Sequence, residues 1–368
     1  MHLYIHVPFC ARRCSYCDFA IAVRREVPAR AFVDALLSEW TAWQSHSAWL
    51  ASPVIETVYF GGGTPSRLEA NSFATILGRL RQDREMAPAA EITLEANPDD
   101  VSAEAAEAWS RAGINRVSLG AQSFSAQVLE WMHRTHTGSQ IEAAHHTLRA
   151  AGFWNTSLDL IYALPASLQR DWPADLERAL ALEPAHLSFY GLTVESGTPL
   201  GRWTGRGECI PLADEQAADE FLYAHRRLEA EGFEHYEVSN AAKPGLRARH
   251  NSAYWERKAF LGLGPAAHSA FGAIRAWNVR EWEEYRRRTE ARRSVRAESE
   301  TLGETQVALE ELYLGLRTTN GIPASKLRGP VAASWQAEGW AMEAGGRLSL
   351  TLQGWLRLDA LVASLTHC

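Results

Sequence analysis

"LYIHVPFCARRCSYCDF", Leu3 to Phe19, joins two signals in one short run. A nearly continuous apolar segment of strand length leads straight into a loop that carries Cys10, Cys14 and Cys17. Such continuity marks a strand covered on both faces, as in a parallel sheet. Five more segments have the same character: "TVYFGGG" from Thr57, "EITLEANP" from Glu91, "RVSLGAQSF" from Arg116, "NTSLDLIYALP" from Asn155 and "HLSFYGLTVE" from His186. Helical patterns lie between them at Ala29 to Trp43, Ala103 to Ala112, Gln140 to Ala151 and Asp214 to Gly232. Strands that alternate with helices predict a parallel sheet covered by helices. The cysteines, "GGGTP", Glu95, Gln122 and Asp159 fall at or just past strand ends and are spread over all the strands, which is where α/β barrels keep their chemistry. The expected fold is therefore α/β: an incomplete (βα)6 TIM-like barrel over residues 1–234. Residues 235–300 read as an irregular connecting segment, and 301–368 as a small C-terminal winged-helix-like α+β domain. That tail has a helix over Val307 to Leu316, a turn at Gly345-Gly346 and a last helix from Trp355 to Leu365.

Composition narrows the function. The 368 residues are 46% hydrophobic and 22% charged, with no low-complexity tract, as in ordinary globular proteins. A formal charge of −7 excludes general nucleic-acid binding, which draws on a basic excess. The basic run Glu284 to Arg296 reads as a solvated helix face. No stretch has the length and apolarity of a membrane span, and the first residues lack the pattern of a signal peptide, so the expected location is cytoplasmic. In a reducing compartment, five cysteines with three of them clustered point to metal or redox chemistry rather than disulfides.

A structural zinc site closes with four ligands, and no fourth Cys or His stands nearby at finger spacing. Cys209 and Cys368 are remote. Three thiols on one loop suit a [4Fe-4S] cluster held at three irons, with the fourth open to a substrate. The spacing C-x3-C-x2-C after a first strand, followed by "YCDF", resembles the radical S-adenosylmethionine (SAM) superfamily. The resemblance implies that SAM chelates the open iron and that its reductive cleavage yields a 5'-deoxyadenosyl radical.

"FGGGTPS", Phe60 to Ser66, closes the second strand; its glycines let the backbone approach a ligand, while the lysine of a phosphate loop is missing. Glu95 could accept hydrogen bonds from ribose hydroxyls or an ammonium, Gln122 offers an amide, and Arg134 could pair with a carboxylate. The joint order of these residues resembles the HemN/HemW family over nearly the whole chain. That resemblance implies SAM contacts at Tyr4, Tyr16, Gly62, Gly63, Thr64, Glu95, Gln122, Arg134 and Asp159.

HemN proteins are oxygen-independent coproporphyrinogen III dehydrogenases, and HemW proteins are haem chaperones. Asp18-Phe19 after the third cysteine, and only two residues before the first strand, look like the HemW branch. "RHNSAYW", Arg249 to Trp255, resembles the H-N-x-x-Y-W signature linked there with haem, which implies His250 as an imidazole donor and Tyr254 and Trp255 over a porphyrin face. Arg247 or Arg249 could meet propionates, and His268 is a second imidazole candidate. The implied partners are haem and haem-receiving respiratory proteins; a homodimer is allowed, and a porphyrinogen oxidoreductase is the alternative function. "GLGPAAH", Gly262 to His268, imitates a dinucleotide fingerprint but has Pro265 where a helix would open, so no NAD site is expected.

Overall fold

The computed structural model describes residues 1–44, 54–327 and 329–365. Its frame is six parallel strands: β1 (His2–Val7), β2 (Val54–Gly62), β3 (Glu85–Ala96), β4 (Arg116–Gln122), β5 (Thr156–Tyr162) and β6 (His186–Gly191). They pair in chain order. In β1 only Tyr4 is less than buried, because helices cover one face and the barrel interior the other. Helices α1 (Ala29–Trp43), α2 (Ala70–Asp83), α3 (Ala103–Ala112), α4 (Ala126–Trp131), α5 (Gly138–Ala150), α6 (Trp172–Ala181), α7 (Pro199–Gly205) and α8 (Asp214–Ala230) fill the connections. Their start signals are local. Ser102 accepts the Ala105 amide at the head of α3, and Thr137 with Gln140 forms a reciprocal capping box on α5. Trp40, Trp109 and Trp172 are almost wholly buried between helices and sheet.

Past the sixth strand the structure departs from the irregular segment expected over 235–300. Two short strands, β7 (Glu234–Glu237) and β8 (Asn240–Ala242), extend the sheet beyond β6. "RHNSAYW" is not a loop but helix α9 (Arg249–Trp255), whose first amides at Arg249 and His250 each donate to the Glu91 carboxylate at 3.0 Å. Strand β9 (Phe260–Leu263) then pairs parallel with β1 on the side away from β2, and β10 (His268–Phe271), β11 (Ile274–Asn278) and β12 (Arg296–Thr301) continue antiparallel. The twelve strands thus make one open sheet flanked at both ends by this segment.

The glycines of "GLGPAAH" serve that edge. A Cβ on Gly262 would lie 2.1 Å from the His268 carbonyl oxygen, and one on Gly264, where φ is +98°, 2.5 Å from that of His6. No helix follows them, so the dinucleotide fingerprint stays unrealised. Only the first part of the basic run lies on a helix, α10 (Trp282–Glu290), where Glu284 pairs with Arg287 and Arg288 and Glu290 with Arg286; Arg292 and Arg293 follow it, and Arg296 opens β12.

The tail orders α11 (Glu304–Leu316), β13 (Ile322–Pro323), α12 (Pro330–Ala337) and a hairpin of β14 (Ala341–Ala344) and β15 (Arg347–Leu350) that turns at Gly345-Gly346. Short helices α13 (Leu352–Trp355) and α14 (Leu358–Ser364) follow. Cys368 lies outside the described residues. Among the described residues no helix is long and apolar enough to cross a membrane.

Candidate functional site

Strand ends converge on a cavity of about 460 Å3. Its wall includes Cys10, Cys14, Tyr16 and Cys17 from the loop after β1, and Gly62, Gly63 and Thr64 from the end of β2. Glu95, Gln122, Arg134 and Asp159 complete it, so every residue singled out for the cluster or SAM lies here except Tyr4. Tyr4 instead reaches the Nδ1 atom of His6 at 3.0 Å and lines a second cavity on the far side of that ring.

All three loop cysteines are free thiols. Burial pushes the Cys10 thiol up and that of Cys17 to about 11, so a thiolate at either position calls for positive charge beside it. Thr64 Oγ1 donates to Cys10 Sγ at 3.4 Å and Arg134 Nη1 to Cys14 Sγ at 3.7 Å. Among the described residues no three His, Cys, Asp or Glu stand close enough for a single ion. A cuboidal cluster takes each thiolate on a different iron and does not need them to converge. The donor chemistry of the loop therefore fits a site-differentiated iron–sulfur cluster.

The glycines form a cradle with no room for side chains. Gly62 has φ +111°, and a Cβ there would meet the His6 ring at 2.6 Å; on Gly63 it would meet the Pro8 backbone at 2.7 Å. His6 cannot yield, because its other ring nitrogen is bonded to the Ala20 carbonyl at 2.8 Å. Above the cradle Glu95 accepts from Tyr59 Oη at 2.7 Å and from the Gly62 amide at 3.1 Å. Burial raises its carboxyl to about 7, the nearby Asp159 charge adding to this and the Tyr59 bond opposing it. Asp159 is also raised by burial and is held by Ser118 Oγ, which lies 2.9 and 3.0 Å from its two oxygens.

Arg134 is fixed by two acceptors, Asn97 Oδ1 at 2.7 Å and the Gly120 carbonyl at 2.9 Å. Gln122 ends β4 at a register shift with φ +65°, an uncommon backbone for its residue type, and strain of this kind collects at ligand sites. Gly120 gives the space for both: a Cβ there would come within 2.9 Å of Gln122 and 3.2 Å of Arg134. Tyr59, Asn97, Ser118, Gly120 and Tyr190 also line the cavity and were missed from sequence, although "GGG" beside Tyr59 and Phe60 was a signal for the first.

The haem-motif residues lie elsewhere. His250 is buried, its Nδ1 2.6 Å from Thr57 Oγ1 and its Nε2 2.8 Å from Tyr254 Oη, so both ring nitrogens are engaged. Its ring stacks on Tyr59 at 5.1 Å, and through Tyr59 it touches the Glu95 side of the first cavity. Tyr254, Trp255 and His268 line the second cavity, of about 590 Å3. Arg247 pairs with Glu234, and the Arg249 guanidinium bonds the Ala89 carbonyl; neither lines that cavity.

Residues 4–179 match the Radical SAM superfamily. Over 366 residues the chain is 36% identical to the heme chaperone HemW of Mycobacterium tuberculosis, an alignment that covers 99% of this chain and 94% of that protein. It is 37% identical over 269 residues to the heme chaperone HemW of Escherichia coli, covering 73% of this chain and 69% of that one. It is also 33% identical to the radical S-adenosyl methionine domain-containing protein 1, mitochondrial, of Mus musculus, covering 97% and 82%. In fold it is similar to coproporphyrinogen III oxidase (HemN) from Escherichia coli, with a TM-score of 0.80 at 21% identity over 98% of this chain and 88% of that one.

Proposed function

The chain belongs to the HemW family of the radical SAM superfamily, and from that membership we propose that it is an iron–sulfur, SAM-binding haem chaperone of the cytoplasm. In this reading Cys10, Cys14 and Cys17 hold a [4Fe-4S] cluster, and SAM lies between the Gly62–Thr64 cradle and the side chains of Glu95, Gln122, Arg134 and Asp159. When bound, the cluster supplies an open iron and one-electron reducing power. The chain's own groups hold and orient: the glycine edge presents backbone, Arg134 places a fixed cation beside Cys14, and Glu95 offers a carboxyl that burial keeps close to its titration point at neutral pH. Haem is the cargo, passed on to haem-dependent respiratory proteins.

The observation that carries this reading is the meeting in one cavity of three free thiols, a glycine cradle and the side chains of Glu95, Gln122, Arg134 and Asp159. Anaerobic reconstitution with iron and sulfide, followed by haem titration, tests it. A cluster absorbance and a shifted Soret band are expected. Material that takes up neither iron nor haem would overturn it. Incubation with SAM, a reductant and coproporphyrinogen III is expected to give no porphyrin product; turnover would move the chain to the dehydrogenase reading.

A further inference from the structure

Under the first cavity a row of buried polar groups leads away from Asp159 through β5, β6 and β7. Ser157 and Asp159 stand two residues apart on β5 and so face the same way, and the sheet register sets them opposite His186 and Ser188 of β6. Ser157 Oγ lies 3.2 Å from Asp159 Oδ1 and 2.8 Å from His186 Nδ1. His186 Nε2 lies 2.8 Å from Tyr236 Oη, which in turn accepts the Ala248 amide at 3.2 Å. His186 and Ser157 have no exposed surface, and Tyr236 is buried.

Counting protons gives this row a direction. Burial, with the Arg116 charge beside it, holds the imidazole well below its ordinary value, so the ring is neutral and carries one N–H. Among the described residues the Tyr236 hydroxyl has no acceptor for its own proton but His186 Nε2. That nitrogen therefore accepts, which puts the ring proton on Nδ1 and points it at Ser157. Ser157 then keeps its own proton to donate, and of its two other neighbours the Asp159 carboxylate is a stronger acceptor than Ser188 Oγ at 3.3 Å. The opposite tautomer would turn Ser157 towards the ring, withdraw a donor from Asp159 and leave the tyrosine proton buried without a partner.

We propose that His186 is a positioning residue for the SAM site: fixed by Tyr236 as the Nδ1–H tautomer, it turns the Ser157 hydroxyl onto Asp159 and so holds that carboxylate ionised at the cavity wall. The inference rests on the SAM-binding reading above. Asp159 needs the support, because burial raises its carboxyl and the groups around it are of mixed sign, with Glu95, Tyr59 and Tyr190 opposing its charge and the buried Arg116 favouring it. Ser118 also donates to it from β4, but one hydroxyl proton serves only one of its two oxygens at a time.

Two measurements on the reconstituted full-length protein test this. In protein labelled with 15N-histidine, the His186 ring, identified by its loss in His186→Asn, should carry its proton on Nδ1 and none on Nε2; a ring protonated on Nε2 would overturn the proposal alone. Equilibrium dialysis with SAM then compares His186→Leu with His186→Asn. The asparagine amide can stand where Nδ1 does and donate to Ser157, leucine cannot, and both lose the contact with Tyr236. His186→Leu should bind SAM within about twofold of wild type near pH 8 and about tenfold more weakly near pH 6, because its Asp159 takes up a proton earlier as pH falls. His186→Asn should follow wild type. Glu95 titrates in the same cavity in all three proteins, so the difference between the two variants carries the result. Equal profiles for leucine and asparagine would overturn the proposal, since packing would then account for any loss. Wild type that binds no SAM at either pH would overturn the SAM-binding reading itself, and this proposal with it.

Discussion

At Gly62 two independent constraints meet, a left-handed φ of +111° and a neighbouring ring 2.6 Å from where a Cβ would stand. Since His6 is pinned from both sides, Gly62→Ala has to move β1 or distort the cradle; we expect a loss of about 2–4 kcal/mol in stability together with loss of SAM binding. Gly197→Ala, with nothing within 4 Å of its Cβ, is the control and should change neither. Chemical denaturation and equilibrium dialysis with SAM would show it, and a Gly62→Ala protein that binds SAM normally would refute it. Arg134→Lys makes a sharper test of the cluster loop. An ammonium cannot reach Asn97, Gly120 and Cys14 together as the guanidinium fork does, so a chelator should strip iron from the variant about tenfold faster, equivalent to about 1.4 kcal/mol. Equal rates would remove Arg134 from the support of that loop. These residues also show what can be read from a sequence. Cys10, Cys14, Cys17 and the glycine run declare themselves by type and spacing, whereas Asn97 acquires its role from an arginine 37 positions away and Ser118 from an aspartate 41 positions away. Neither has a local pattern, because only the pairing of adjacent strands brings the partners together.

Helix α9 poses the corresponding problem for elements. Its first amides are satisfied by Glu91, which is 159 residues distant from His250 and sits beside the buried Arg116. Without that cap in view, "RHNSAYW" has a weak start signal and follows a Pro-Gly turn, which is why it reads as loop. Strand β9 is hidden for a different reason: four residues with a glycine among them fall below the length at which periodicity means anything, and their strand character comes from pairing with β1. The six barrel strands, by contrast, were legible because burial on both faces leaves its mark in the sequence itself. If Glu91 sets α9, then Glu91→Gln turns an amide donor towards a helix donor and removes one of the two carboxylates that act on the buried Arg116; we expect a cost of about 2–4 kcal/mol. Hydrogen exchange at Arg249 to Ala253 should rise more than at the β1 amides. Uniform protection across both segments would show that α9 does not depend on this cap.

Across the whole molecule the buried imidazoles outnumber the buried carboxyls that oppose them, and this sets the pH dependence of stability. Burial holds His2, His6, His136 and His145 down to about 4 and His235 to about 3. The unfolded chain protonates such groups near their ordinary value of 6.5, so their stabilising effect is complete above that pH and is lost as pH falls towards 4. Glu39 and Glu95, raised by burial to about 7, act in the opposite sense: ionising them in the folded chain costs stability as pH rises from about 4.5 to about 7. With His186 and His250 also lowered and Asp100, Asp159, Asp175 and Glu237 also raised by burial, seven buried imidazoles stand against six buried carboxyls, which leaves the unfolded state binding up to one more proton between these limits, a slope of about 1.4 kcal/mol per pH unit at most. Stability should therefore be greatest near neutral pH and above, and fall once the pH passes below 6.5. His235 decides how the fall looks. It lies between Phe189 and Phe221 of the barrel and Trp355 of the tail, with ring centroids 4.9, 5.5 and 4.9 Å away, so charging it loosens both parts at once. Urea unfolding from pH 8 to pH 5, followed by far-ultraviolet circular dichroism and by tryptophan fluorescence, should give coincident transitions whose midpoints drop together on acidification, and His235→Phe should flatten the drop. A midpoint that stays level across that range, or a tail that melts ahead of the barrel, would show that these rings are not the groups on which acid acts.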